Sequence, residues 1–169
     1  MYDVRIAFFV FFRYNSFSES IMMSEWVRFS AFTVLGLCIG IIDFRSQRIP
    51  NVLLLVLLSS LVTTDVLMMA GENIVRNALA GLGGFGLFYA VYRLRGGIGF
   101  GDVKYAGVIG YFLGPELVLI GLLCGVLFGI LYWCIGCLFF RWGKEKRFPF
   151  GPWLSCGAVA TVLFYWSLI

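Results

Sequence analysis

Histidine is absent from the 169 residues, and charge is scarce, with Asp, Glu, Lys and Arg together making up 13% of the chain. Without histidine there is no Ser-His-Asp or Cys-His triad, and the usual ligands of a catalytic zinc are missing. Carboxylates, cysteines, serines and lysines are left to do any chemistry. The shortage of charge, set against 61% hydrophobic residues, excludes a soluble domain, in which about a quarter of residues are charged and about half are apolar. No internal repeat, low-complexity tract or soluble second domain is present. A secreted disulfide framework is also missing: Cys38, Cys124, Cys134, Cys137 and Cys156 all fall inside apolar segments and read as buried small apolar residues. No metal site and no cofactor is expected.

What the chain has is long apolar runs. A helix needs about 20 mostly apolar residues to cross the hydrocarbon. Four stretches approach or exceed that length, Trp26–Ile42, Asn51–Ala70, Ile74–Tyr92 and Glu116–Phe140, and Trp153–Ile169 is a fifth, long enough if tilted little. Val103–Gly114 is apolar but has only about twelve residues, about 18 Å of helix, too short to cross alone. The expectation is an all-α, polytopic membrane helix bundle of about six transmembrane helices, one of them short. Residues 26–169 form the membrane-embedded domain. Residues 1–25 form an N-terminal segment in which Ile6–Phe12 is closed by Arg13 without a small-residue cleavage site, a poor signal peptide. The segment reads either as an interfacial helix or as residues ahead of a native start at Met22 or Met23.

The basic residues set the orientation. Nine of the thirteen lie in three connections: Arg45 and Arg48; Arg93, Arg95 and Lys104; and Arg141, Lys144, Lys146 and Arg147. The alternating connections around Gly71–Asn73 and Gly114–Glu116 are acidic or neutral, with Arg76 just inside the next helix. The positive-inside rule therefore turns the three basic connections to the cytoplasm and leaves the C-terminus outside. The net charge of +4 is spread between apolar runs rather than along one amphipathic face, so it implies no nucleic-acid partner. The loop Arg141–Arg147 can instead attract anionic lipid headgroups, although topology alone also explains it.

Carboxylates at a membrane-embedded helix end are costly and mark function by default. Asp43 closes the first span, just ahead of Arg48-Ile49-Pro50-Asn51, where Pro50 can open the next helix because a first turn needs no N–H from it. Asp102 closes a run with glycines at 96, 97, 99 and 101, a backbone free to adopt positive φ and approach a substrate strand. Because the following element is short, part of that run dips below the surface, where irregular backbone is tolerated only if protein buries it or water fills a cavity beside it. Both aspartates fall at cytoplasmic helix ends. Two carboxylates in one site share a proton, since like charges oppose a second ionisation, so one can act as base on water while the other hydrogen-bonds a carbonyl. The bland alternative is that each aspartate caps a helix or pairs with a nearby Arg or Lys.

Three motifs in order then resemble a known family. Asp43 with Arg48-Ile49-Pro50-Asn51 is similar to the first aspartate motif of the type IV prepilin peptidases. Gly99-Phe100-Gly101-Asp102-Val103-Lys104 resembles the GxGD motif of the wider family of membrane aspartyl proteases. Phe148-Pro149-Phe150-Gly151-Pro152, followed by Gly157, is similar to the segment that opens the family's last helix. The resemblance implies an aspartic endopeptidase of the bacterial inner (cytoplasmic) membrane that removes the short basic leader from type IV prepilins or pseudopilins at the cytoplasmic face, just before the substrate's hydrophobic helix. Such substrates belong to pilus, secretion or competence systems. It implies catalysis by Asp43 and Asp102, with Gly99, Gly101, Lys104, Arg48, Pro50, Asn51, Pro149, Gly151 and Pro152 shaping the site or binding substrate. Prepilin-type proteins and membrane lipid are the partners expected, and the oligomeric state is left open. The family's cytoplasmic cysteine pairs, associated with N-methylation, have no match here, which implies the peptidase without the methyltransferase.

Two weaker signals remain. Cys134 and Cys137 form a CxxC inside a span and read as packing rather than metal or redox chemistry. Gly36 and Gly40, and Gly121, Gly125 and Gly129, make small helix faces that suit close packing within the bundle better than dimerisation. The rival functions are a small transporter that uses the two aspartates as an ion relay and a non-catalytic membrane scaffold.

Overall fold

A computed structural model describes residues 4–67, 71–95, 97–140 and 149–168, with side chains for 23–67, 74–94, 97–139 and 149–168. The described chain is all-helical: α1 (Val4–Ser46), α2 (Asn51–Leu67), α3 (Gly71–Arg95), α4 (Phe100–Phe140) and α5 (Gly151–Leu168). The residues set apart as an N-terminal segment are helical from Val4 and enter the first span without a break. The basic loop Arg141, Lys144, Lys146 and Arg147, together with Gly96 and Phe148, lies outside the described residues.

Three of the described helices are long and apolar enough to cross a membrane, Met23–Ser46, Ile74–Leu94 and Phe100–Phe139, and Asn51–Leu67 is a shorter apolar helix. The expected count of about six crossing helices is higher. Part of the difference is that the short element and the long span after it form one run, α4. That run is broken at Gly114 (φ 71°, ψ 176°), directly before Pro115. Such a backbone is open in practice only to glycine, and Pro115 then begins a new helical segment without needing a donor. The short element thus ends where the sequence predicts, but it sits at the centre of the bundle.

The interior is apolar, with a few polar residues such as Thr64, Asn77, Ser155 and Thr161 tucked between the helices, and the exterior is apolar as well: Val34, Leu55, Leu82, Leu127, Leu131 and Phe164 point outward. An apolar exterior on this scale belongs in lipid, and the protein is a multi-pass membrane protein. The expectation of buried cysteines fails for the same reason. Cys38, Cys134, Cys137 and Cys156 are exposed, because an outward position in a bilayer is as apolar as the core.

The first segment of α4 is the hub. Val103, Tyr105, Ala106 and Ile109 are fully buried there, against Phe32 and Ile39 of α1, Leu57 and Leu61 of α2, and Leu154 of α5. Close backbone approach makes this possible: a Cβ on Gly110 would fall 2.5 Å from the Ala80 carbonyl oxygen, and one on Gly157 within 2.5 Å of Gly125 Cα. The small faces read from the sequence serve this packing. Gly40 lies against Pro152, Gly36 against Tyr105 and Ser155, and Gly121 and Gly125 against α4 and α5 neighbours.

Candidate active site

One helix end and three helix starts converge at one end of the bundle. The α1 helix stops at Ser46, whose hydroxyl donates to the Ile42 carbonyl at 2.8 Å. The Gln47 N–H then closes a last turn on the Asp43 carbonyl at 2.8 Å, with Gln47 itself left-handed at φ 53°. A non-glycine residue in that region stores local strain of a kind often found beside functional groups. Here it folds the chain back so that Pro50 precedes α2, its carbonyl accepting the N–H groups of Leu53 and Leu54 at 3.1 and 3.3 Å.

Gly99 plays the matching part for α4. Its carbonyl accepts the N–H of Asp102 at 3.0 Å and of Val103 at 3.4 Å. Asp102 Oδ2 in turn accepts the Gly99 N–H at 3.1 Å, the reach-back of an N3 carboxylate in a capping box. Asp43 Oδ2 accepts the N–H of Gly151, the first residue of α5, at 2.9 Å. Both aspartates are nearly buried, at 5% and 9% exposure. Each is therefore held by a helix N-terminus, where the macrodipole favours negative charge.

The two carboxylates line one cavity of about 370 Å³, together with Arg48, Asn51, Gly99, Gly101 and Lys104. Seven of the residues singled out in the sequence are thus brought together from α1, the turn after it, α2, and the loop and first turn of α4. Gly151 joins them through its hydrogen bond to Asp43. Pro50 sits at the start of α2, and Pro152 packs on Gly40. Pro149 is half-buried ahead of α5. None of these three prolines lines the cavity. Gln47, Ile49 and Phe100 do line it, although the sequence assigned them no role.

The capping half of the bland alternative is met, since both aspartates accept helix-terminal N–H groups. The pairing half is not: among the described residues, the ion pairs are Arg28–Glu25, Arg28–Asp65 and Arg76–Glu116, all away from this cavity. Lys104 Nζ instead donates to Asn51 Oδ1 at 3.0 Å and stands 5.0 Å from the centre of the Phe100 ring. No group of three or more acidic or cysteine side chains among the described residues could hold a metal.

A second polar cluster lies about 22 Å away along α1, counting 1.5 Å per residue from Asp43. Arg28 and Asp65, 5% and 2% exposed, pair at 3.4 Å. The Tyr111 hydroxyl donates to Asp65 at 2.9 Å, and Asn77 donates at 3.5 Å. Arg28 also donates to the carbonyls of Tyr111 and Phe112, at 3.3 and 3.1 Å. Sequence reading missed this cluster, which ties α1, α2, α3 and α4 together.

Comparison with known proteins adds the following. The model of the type IV leader peptidase family matches residues 30–134, more than half of the chain. A "Prepilin leader peptidase/N-methyltransferase" of Bacillus subtilis (strain 168) is 30% identical over 140 residues, 82% of this chain and 56% of that protein. One of the same name from Burkholderia pseudomallei (strain 1026b) is 31% identical over 149 residues, 80% of this chain and 47% of that protein. "Leader peptidase HopD" of Salmonella typhimurium is 39% identical over 93 residues, 50% of this chain and 57% of that protein. The chain spans about half the length of these curated relatives. No solved structure matches it significantly.

Proposed function

The chain belongs to the type IV leader peptidase family, and from that premise we propose that it cuts the basic leader from prepilin-type proteins with Asp43 and Asp102 as an aspartic dyad. One observation carries this reading: two carboxylates far apart in sequence line one cavity at a helix-bundle end, each oriented by a backbone N–H and neither neutralised by an ion pair among the described residues. The dyad holds one proton between its carboxylates because a second negative charge beside the first is costly. The ionised carboxylate takes a proton from water as its oxygen bonds to the scissile carbonyl carbon, and the protonated one donates to the carbonyl oxygen. Collapse of the tetrahedral intermediate breaks the C–N bond and returns a proton to the leaving nitrogen.

The cavity opens at the end that carries Arg45, Arg48, Arg93 and Lys104, whereas Arg28 and Arg76 at the far end are paired with acids. This asymmetry supports a cytoplasmic face for the site and a home in the bacterial inner membrane. The 169 residues are assigned the peptidase step alone, not methyl transfer. An ion relay is disfavoured, because fully buried Phe32, Ile39, Leu57, Leu61 and Ile109 lie between the two polar ends. The polar exception, Tyr105, spends its hydroxyl on Ser155 at 2.6 Å.

The test is reconstitution of the purified protein in liposomes with a purified prepilin. Mass spectrometry of the product should find a single new N-terminus between the leader and the apolar helix, unmethylated when a methyl donor is supplied. A prepilin left whole would sink the peptidase reading.

A further inference from the structure

The substrate class proposed above carries an apolar helix directly after its cleaved bond, and that helix must lie in the bilayer beside the carboxylates. Among the described residues, apolar grooves run along the outside of the bundle, and two stand out. One, of about 660 Å³, lies between α1 and α5, with Leu37, Phe44, Pro152 and Leu163 in its walls. The other, of about 840 Å³, lies between α2 and the α3–α4 pair, with Leu55, Leu58, Ala78, Leu82 and Phe85 in its walls. Size and chemistry do not separate them, but connection to the site does. Asn51 and Lys104 belong to the walls of both the α2–α3 groove and the aspartate cavity, whereas the α1–α5 groove shares no wall residue with that cavity.

The α2–α3 groove also has the build of a helix cradle. Its floor is rigid, because α3 and α4 are pressed together: a Cβ on Gly81 would come 2.9 Å from the Gly107 carbonyl oxygen, and one on Gly84 2.6 Å from that of Ala106. Its wall is α2, which touches α3 and α4 far more sparsely than they touch each other. Along α2 the lining runs from Asn51 to Val62, about 17 Å of helix at 1.5 Å per residue. At the cavity end the Lys104–Asn51 hydrogen bond, 3.0 Å long, bridges α4 to α2 where apolar wall gives way to carboxylates. We propose that this groove receives the apolar helix of the substrate, with the scissile bond delivered to Asp43 and Asp102 past the Lys104–Asn51 bridge. The assignment rests on the peptidase reading and adds the route by which the substrate is held.

The test uses the full chain carrying Asp102→Asn, so that a prepilin stays uncut, with photoreactive p-benzoylphenylalanine in place of Leu58 or Leu82 in one set and of Leu37 or Leu163 in the other. Irradiation should give prepilin adducts from Leu58 and Leu82, mapped to the apolar helix and suppressed by excess unlabelled prepilin. Adducts mainly from Leu37 and Leu163, equal yields from both sets, or adducts to lipid alone would overturn the proposal. Cleavage of the same prepilin by the unmodified chain is measured in parallel. If it fails, the peptidase reading falls; if it succeeds without groove adducts, the groove assignment falls by itself. As a second readout, Leu82→Trp, which fills the groove and does not line the aspartate cavity, should raise KM for the membrane prepilin about tenfold with kcat within about twofold. An unchanged KM would count against the groove.

Discussion

Replacing Gly151 with alanine tests whether α5 holds Asp43 in its working position. The Gly151 N–H donates to Asp43 Oδ2 at 2.9 Å. A Cβ at that residue would stand 2.9 Å from the same oxygen and 3.2 Å from Asp43 Cβ and Cγ. Ordinary contact begins near 3.4 Å, so the carboxylate or the start of α5 must shift by about 0.5 Å. A misplacement of about 1 Å can cost about 100-fold in rate, which makes about tenfold the expected loss in kcat for Gly151→Ala. Stability should change little, because Gly151 has no positive φ, so alanine there restricts the unfolded chain by about 0.4–1 kcal/mol and offsets part of the crowding. The assay is the initial rate of leader cleavage at saturating prepilin in detergent micelles, alongside the thermal unfolding midpoint of the same preparation. Cleavage at the wild-type rate would refute the claim that this contact positions Asp43. A rate loss that merely tracks a large fall in the midpoint would refute it as well.

Further outcomes follow from the rest of the bundle. Asp65→Asn leaves buried Arg28 with the half-exposed Glu25 as its remaining acidic partner among the described residues, and should lower stability by about 3 kcal/mol; an unchanged unfolding midpoint would show that the pair does not clamp the helices. Ser155→Ala strips the buried Tyr105 hydroxyl of its 2.6 Å partner and should destabilise by about 1–3 kcal/mol, whereas Tyr105→Phe in the same background should recover part of the loss on thermal melts. Gly114→Ala forces a side chain onto φ 71° and to within 3.2 Å of Asn77 Oδ1, and should destabilise by about 1–3 kcal/mol; a wild-type melt would mean that the break in α4 relaxes freely.

The sequence made legible what depends on local chemistry. Asp43 ahead of a proline-led helix, Asp102 closing a glycine run, and Gly114-Pro115 ending a short element can all be read without knowing a single tertiary contact, and the structure brings the first two to one cavity. The Arg28–Asp65 pair depends on a contact between α1 and α2, and neither residue lies in a motif. A signal was available, however. Arg28 lies two residues inside the span that begins at Trp26, and Asp65 five residues before the end of the next, so antiparallel neighbours put opposite charges at one level. The direction of the cysteines was not legible, because core and lipid-facing positions are equally apolar and leave no amphipathic pattern to read. The place of the short element was not legible for a related reason: apolar length says that Val103–Gly114 is too short to cross alone, but it does not reveal that this segment is the buried hub around which the others pack.

The central claim is that Asp43 and Asp102 act together on a peptide bond. Its most direct test is leader cleavage of a co-expressed prepilin by the wild-type chain, Asp43→Asn and Asp102→Asn, with the membrane level of each protein measured on the same samples. Both substitutions should abolish cleavage while the proteins accumulate normally. Cleavage that survives either change would contradict the dyad.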